Sequence, residues 1–276
     1  MVTTAWLEDN LNNEKLVILD TSMHKVVGKK PIIYNEPIFI PKSKPFDLES
    51  IFCNLDSPQP NAFPNQELFT REAQKLGINS DSVVVLYDNQ GIYSSPRAWW
   101  VFRAMGFHQV VVLDGGLPQW LLEKKKTVSS LTNKSCAQGN VIGVYQANLV
   151  CDSRYIIEKM VNDKQTIIDA RSTARFLGAT AEPRAGMRSG HIPNSLNLPF
   201  AEILDQHRLK NSQQLIHIFS TLQVNKNDEI IFTCGSGITA CIIMLAAVVA
   251  GYQHIVLYDG SWSDWGSDMT LPIEIN

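Results

Sequence analysis

The chain has 276 residues, 45% of them apolar and 18% charged, with 24 basic and 27 acidic side chains and a formal net charge of −3. That mix excludes a disordered chain and is enough for one large or two ordinary domains. The near balance of charge excludes a general attraction to nucleic acid or to an anionic membrane, so an acidic substrate needs a local basic site.

Taken in chain order, the predicted elements run through one pattern twice. The N-terminus, "MVTTAWLEDNLNNEKL", has no cationic start followed by an apolar stretch, so no signal peptide is expected. "LVILDTS" (16–22) and "IFIPKS" (38–43) precede a helical pattern over 64–78. "VVVLYD" (83–88) then leads through the loop "YDNQGIYSSPRAWW" to a helix ending at Gly106, a strand "VVVLD", an Asp-Gly pair and Trp120.

The second half repeats this. "TIIDARS" (166–172) answers the first strand and "GHIPNS" (190–195) the Ile-Pro turn. A helical pattern over 201–224 precedes "EIIFTC" (229–234), and "HIVLYDGSWSDW" carries the Asp-Gly pair and Trp265. The spacing from Gly106 to Asp114 equals that from Gly251 to Asp259. Continuous apolar runs of this length are expected of parallel strands buried on both faces. The fold class is therefore α/β, with two domains, each a mostly parallel central sheet flanked by helices.

The polar stretch "EKKKTVSSLTNKSCAQGN" reads as a connection. The expected boundaries are 1–123 for an N-terminal domain, 124–147 for a linker and 148–276 for a C-terminal domain. The longest apolar run, 240–250, is about half of what a bilayer needs, so the expectation is a cytoplasmic protein without a membrane span.

The five cysteines, Cys53, Cys136, Cys151, Cys234 and Cys241, are odd in number and widely spaced, and the six histidines lack a ligand spacing. A disulfide framework or a metal site is not expected. Cys234 stands out because it ends an apolar strand and is followed by Gly235, Ser236 and Gly237 ahead of a long apolar helix. Two readings are open. It is a small core residue beside a turn, or it is a thiolate in a cradle of backbone N–H groups at a helix start, an arrangement that favours the anion. The loop lacks the Lys-Ser/Thr ending of a nucleotide P-loop. Asp88 stands near the same position in the first copy, which makes that copy catalytically degenerate. The helix is expected to begin near Thr239, with Thr239 as its cap.

The chain resembles the tandem-rhodanese sulfurtransferases, on the branch that uses 3-mercaptopyruvate. The resemblance covers nearly the whole chain and rests on "CGSGITA", "DARSTARF", "EPRAGMRSGHIPNSLNLPF", "YSSPRAWWVFRAMG" and "VLDGGLPQW". It implies an enzyme without a cofactor, in which Cys234 takes sulfur from 3-mercaptopyruvate as a persulfide, releases pyruvate, and passes the sulfur to cyanide, a small thiol or thioredoxin. It also implies that Arg175 and Arg184 receive the donor carboxylate and carbonyl. Gly235, Gly237, Ile238 and Thr239 shape the cradle, and Ser236 hands a proton to the leaving enolate or stabilises the thiolate. Tyr93 lines the pocket, and Arg97 forms an inter-domain ion pair. Trp99, Trp100, Trp262 and Trp265 are expected at the domain interface.

Two positions depart from the family pattern. "FDLESIFCNLDSPQPNAFP" places Glu49 where Asp is usual and Asn61 where His is usual, so a proton relay through that position is in doubt. Three alternatives remain. A thiosulfate sulfurtransferase shares the mechanism, although a dianionic donor favours basic loop side chains and Gly235 and Ser236 are neutral. A non-turnover sulfur carrier shares the site. A cysteine phosphatase shares the cradle but ends its loop on an Arg, where this chain has Ala240.

Overall fold

Runs of Val, Ile and Leu build the strands, and the computed structural model describes residues 1–132, 137–160 and 166–275. Two units result. One gathers residues 1–54, 63–146 and 205–209, the other 55–62, 147–204 and 210–276.

In the first unit the strands are β1 (Leu16–Asp20), β2 (Lys44–Pro45), β3 (Val83–Tyr87) and β4 (Val110–Val112), all parallel, in the order β2-β1-β3-β4. The helices are α1 (Thr4–Asn10), α2 (Gln66–Lys75), α3 (Ser95–Ala104) and α4 (Gly116–Leu122). Side-chain caps fix two of the starts: Thr3 accepts the Trp6 N–H and Asn65 accepts the Leu68 N–H. Ile18, Val85 and Tyr87 pack with Leu7, Leu117 and Trp120. A ladder of rings, Phe52, Phe46, Phe102 and Phe69, ties α2 and α3 together. The stretch expected as a linker groups with this unit as far as Gln146. Its later part pairs backbone with Ile78, Met105 and Ala104, and residues 133–136, Cys136 among them, lie outside the described residues.

In the second unit the strands are β5 (Val150–Cys151), β6 (Thr166–Asp169), β7 (Leu196–Asn197), β10 (Ile230–Thr233) and β11 (Ile255–Tyr258); between β7 and β10 the chain also forms β8 (Leu204–Asp205) and β9 (Arg208–Leu209), of which residues 205–209 group with the first unit. Five of them form a parallel sheet, β5-β11-β10-β6-β7. The helices are α5 (Ser153–Met160), α6 (Thr173–Phe176), α7 (Ser212–Thr221), α8 (Ile238–Val249) and α9 (Ser261–Trp265). The β1, β2, β3, β4 series thus corresponds to β6, β7, β10, β11. An isolated parallel bridge between Val2 and Leu113 stands where β5 pairs with β11. The duplication read from the sequence is a duplication of sheet order.

The structure corrects two expectations at this level. The helical pattern over 201–224 is not one helix. Residues 204–209 form the β8–β9 ribbon, with Gln206 in the left-handed region (φ 56°), and α7 starts only after a capping box in which Asn211 and Gln214 serve each other's backbone N–H. The ribbon's tip belongs to the first unit, where Arg208 pairs with Asp114 at 2.5 Å and His207 meets Gln119 at 2.9 Å. Trp262 and Trp265 lie in the second unit's own core with Ile167, Ile231 and Val256, where the Arg188 and Pro272 carbonyls of the same unit accept their indole N–H groups at 2.9 and 2.7 Å. Among the described residues no helix is long and apolar enough to cross a membrane.

Register places the key loop positions. Asp20 pairs with Tyr87 and Asp169 pairs with Thr233, so the next residues, Asp88 and Cys234, are equivalent. Asp88 is fully buried. Its Oδ2 accepts the N–H groups of Tyr93, Ser94 and Ser95 at 2.9, 3.0 and 2.9 Å and the Ser95 hydroxyl at 2.7 Å; Oδ1 accepts the Gln90 N–H at 2.9 Å. The first copy's loop therefore closes on its own carboxylate. Replacing Asp88 with Ala strands these donors in a buried site, and the expected cost is about 3 kcal/mol, read as a lower urea midpoint of the transition that unfolds this unit. A midpoint unchanged from the parent protein would show that the carboxylate is not what orders the loop.

Candidate active site

The second copy's loop is built by what holds its carbonyl groups. β10 ends at Thr233, and the chain turns through Cys234, Gly235 and Ser236 to Gly237, which caps α8 in the left-handed conformation (φ 77°). A residue with a Cβ is strained there, which is why Gly fits. α8 begins at Ile238, so Thr239 lies in its first turn and is not the cap. The Cys234 carbonyl accepts the Trp262 N–H at 2.9 Å, and the Gly235 carbonyl accepts both the N–H (2.9 Å) and the hydroxyl (2.5 Å) of Ser263. In a trans peptide C=O and N–H point opposite ways. Turning both carbonyls toward α9 therefore turns the N–H groups of Gly235 and Ser236 to the other side of the loop.

Ser261 completes the anchorage. It is fully buried, and its left-handed φ of 52° is unusual for a residue with a Cβ. Its hydroxyl donates to the Tyr258 carbonyl at 2.9 Å and accepts the Cys234 N–H at 3.2 Å. Cys234 itself is 1% exposed and is a free thiol. One turn into α8, Cys241 donates its S–H to the Gly237 carbonyl at 3.2 Å.

Two guanidinium groups stand at this loop. An ideal Cβ on Gly235 would come within 3.1 Å of Arg175 Nη2, so Gly235 is what lets the arginine approach the backbone. Arg175 is held from behind by Glu182, whose side chain is 1% exposed and also binds Arg171 at 2.8 Å. Arg171 in turn pairs with Asp169 at 2.7 Å, donates to the Gly190 carbonyl at 2.8 Å and stacks over the Trp262 ring at 4.3 Å. Arg184 differs. Among the described residues its hydrogen bonds go to hydroxyls, Ser263 at 2.6 Å and Ser236 at 3.5 Å, and not to a carboxylate. Loss of solvation pulls its pKa below the ordinary value. The Cys234 sulfur opposes that shift as a nearby counter-charge, the positive Arg175 adds to it, and Glu182 opposes it.

Ser236 also accepts a hydrogen from Asn61 Nδ2 at 3.1 Å. Asn61, in the left-handed region (φ 58°), belongs with its neighbours 55–62 to the second unit, although it lies far upstream in the chain. Both partners of Ser236 are donors, so its own hydroxyl proton is not spent on either.

The expected site residues Cys234, Gly235, Ser236, Gly237, Ile238, Thr239, Arg175 and Arg184 thus meet in one unit. Tyr93 lies in the first unit, with its phenol on the backbone of Val27, accepting the N–H at 2.7 Å and donating to the carbonyl at 3.3 Å. Arg97 is buried in α3 over the Phe63 ring at 4.6 Å. His191 stacks on Phe176 at 3.8 Å and bonds its carbonyl at 2.9 Å, a structural placement. Ser261, Ser263 and Glu182 carry the site's framework and were not singled out from the sequence. Of these, Ser261 had a signal in its place directly after the duplicated Asp-Gly pair, and Glu182 in opening the family-like block "EPRAGMRSGHIPNSLNLPF".

The model of the rhodanese-like domain matches residues 3–123 and 153–268. The chain belongs to the rhodanese family, with two copies of the domain. It is 32% identical over 275 residues to the 3-mercaptopyruvate sulfurtransferase of Escherichia coli (strain K12), covering 99% of this chain and 97% of that protein. It is 34% identical over 277 residues to the 3-mercaptopyruvate sulfurtransferase of Homo sapiens, covering 96% and 91%. The crystal structure of SseA from Escherichia coli superposes with a TM-score of 0.82 at 30% identity, over 95% of this chain and 98% of that one.

In this rhodanese-family site the Arg171–Glu182–Arg175 chain makes a checkable statement. Glu182→Gln removes the charge that two buried or half-buried guanidinium groups share, and the expected loss is about 3 kcal/mol of stability in urea unfolding. A loss below about 0.5 kcal/mol would show that the pairing does not hold the site.

Proposed function

We propose that the chain is a sulfurtransferase that takes sulfur from 3-mercaptopyruvate onto Cys234 and passes it to a thiol, cyanide or thioredoxin-type acceptor. One observation carries the choice of donor. Arg184 stands near Cys234 and, among the described residues, has hydroxyls and no carboxylate as its hydrogen-bond partners, so its charge is available to a carboxylate that arrives with the sulfur. The loop side chains are neutral, as suits a monoanionic keto acid better than a dianion.

The Cys234 thiolate attacks the donor's sulfur. The carbon–sulfur bond breaks, and its electron pair goes to carbon as the enolate of pyruvate. The transferred sulfur remains on Cys234 as a persulfide with the donor's thiol proton, and the enolate takes up one proton to become pyruvate. Ser236 is suited to give that proton, because Asn61 and Arg184 donate to its oxygen and steady the alkoxide that remains until solvent reprotonates it. Asn61 itself has no titratable proton to relay. The amide groups of the loop hold the sulfur before and after transfer without rearranging. In the second half-reaction the acceptor attacks the outer sulfur and Cys234 leaves as the thiolate.

The test is steady-state production of pyruvate with excess cyanide as acceptor. The expected result is many turnovers with thiocyanate formed in equal amount, none in Cys234→Ala, and kcat/KM for 3-mercaptopyruvate at least about tenfold above that for thiosulfate. One equivalent of pyruvate followed by arrest would make the protein a sulfur carrier. A preference for thiosulfate would overturn the choice of donor.

A further inference from the structure

Ser263 has no place in the reaction as just described, yet its hydroxyl touches both halves of the site. The oxygen donates to the Gly235 carbonyl at 2.5 Å and accepts a hydrogen from Arg184 Nη1 at 2.6 Å. The direction is fixed by chemistry: a guanidinium has no lone pair to offer and a carbonyl has no proton. The single hydroxyl proton is therefore committed to the loop, and the oxygen faces Arg184 as an acceptor. The residue is 8% exposed, between two tryptophans, Trp262 and Trp265, that are anchored in the core. Its backbone is not free to follow the arginine, so the arginine must come to it. The Ser263 N–H also binds the Gly235 carbonyl at 2.9 Å, so that carbonyl keeps one bond to α9 without the hydroxyl. What the hydroxyl adds is the tether on Arg184.

We propose that Ser263 is a positioning residue that fixes the guanidinium of Arg184 for the donor's carboxylate and ties donor recognition to the loop that bears Cys234. Arg184 is otherwise a long, exposed side chain on the coil between Gly178 and Gly190, and without a fixed acceptor it has to be ordered each time a donor binds. In the Arg184–Ser263–Gly235 chain, the carbonyl that accepts from Ser263 belongs to the peptide whose N–H is that of Ser236. Polarisation by Arg184 is thus passed toward the cradle. The inference rests on the donor reading above and adds a residue that sets specificity for donors that carry a carboxylate.

The experiment compares two donors, 3-mercaptopyruvate and an alkyl persulfide that carries no carboxylate, on the full chain. Ser263→Ala is expected to raise KM for 3-mercaptopyruvate about tenfold with kcat within about twofold, and Ser263→Thr, which keeps the hydroxyl, to restore it. Sulfur loading from the alkyl persulfide is expected to fall by less than about twofold, because that donor has no carboxylate for Arg184 to bind. In an Arg184→Ala background, Ser263→Ala is expected to add no further increase in KM. Equal losses with both donors, or full additivity with Arg184→Ala, would show that Ser263 merely shapes the loop and would overturn the inference. Failure of the unsubstituted protein to load from 3-mercaptopyruvate, with loading from the persulfide intact, would overturn the donor reading and this inference with it.

Discussion

Everything at the site depends on where two carbonyl groups point. The Cys234 and Gly235 oxygens are held by the backbone of Trp262 and Ser263, which lie immediately after the neighbouring strand. Because the peptide is planar, anchoring the oxygens orients the amides. The apolar packing beneath serves that anchorage: Trp262 and Trp265 sit in the core with Ile231 and Val256, and β10 and β11 run side by side in register. The proposed function uses this cradle to hold the sulfur of Cys234. Its partner charges come from Arg175, braced by a buried carboxylate, and from Arg184, steadied by hydroxyls.

The two copies use one backbone arrangement for different ends. In the first, Leu117 gives its N–H to the Asp88 carbonyl as Trp262 does to Cys234, and Gly116 and Ser261 share a left-handed turn at the same point. The first copy fills its cradle with the Asp88 carboxylate, which saturates the amides with a fixed anion. The second places the Cys234 sulfur there, the atom that the proposed function has accept and pass on a second sulfur. The side chain at one position, on equivalent strands, separates a closed loop from a reactive one.

Much of this was legible in the sequence because it follows from local pattern. The strands are uninterrupted apolar runs rich in Val and Ile, the repeat preserves spacing, and a Cys before Gly-Ser-Gly at a helix start reads either as a core residue beside a turn or as a thiolate cradle. What escaped depends on approach through space. Asn61 reads as part of the first half but folds with the second, and its bond to Ser236 spans most of the chain. Ser263 looks like any serine in a short helix until β10 and β11 lie together. Thr239 had the right residue type for a cap, but the left-handed Gly237 took the cap position and moved the helix start back. The pattern over 201–224 looked helical because its apolar spacing continues through the ribbon, while the turn at Gln206 is set by contacts with Gln119 and Asp114 that no local pattern shows.

The central claim is that the sulfur in transit is bonded to Cys234 and to no other side chain. Intact and peptide mass spectrometry after a single exposure to 3-mercaptopyruvate, without acceptor, tests it directly. The account predicts a gain of about 32 Da, one sulfur atom, confined to the peptide that carries Cys234 and removed by cyanide. A protein that releases pyruvate with no such gain, or that carries the added sulfur on Cys241 or Cys53, would contradict it.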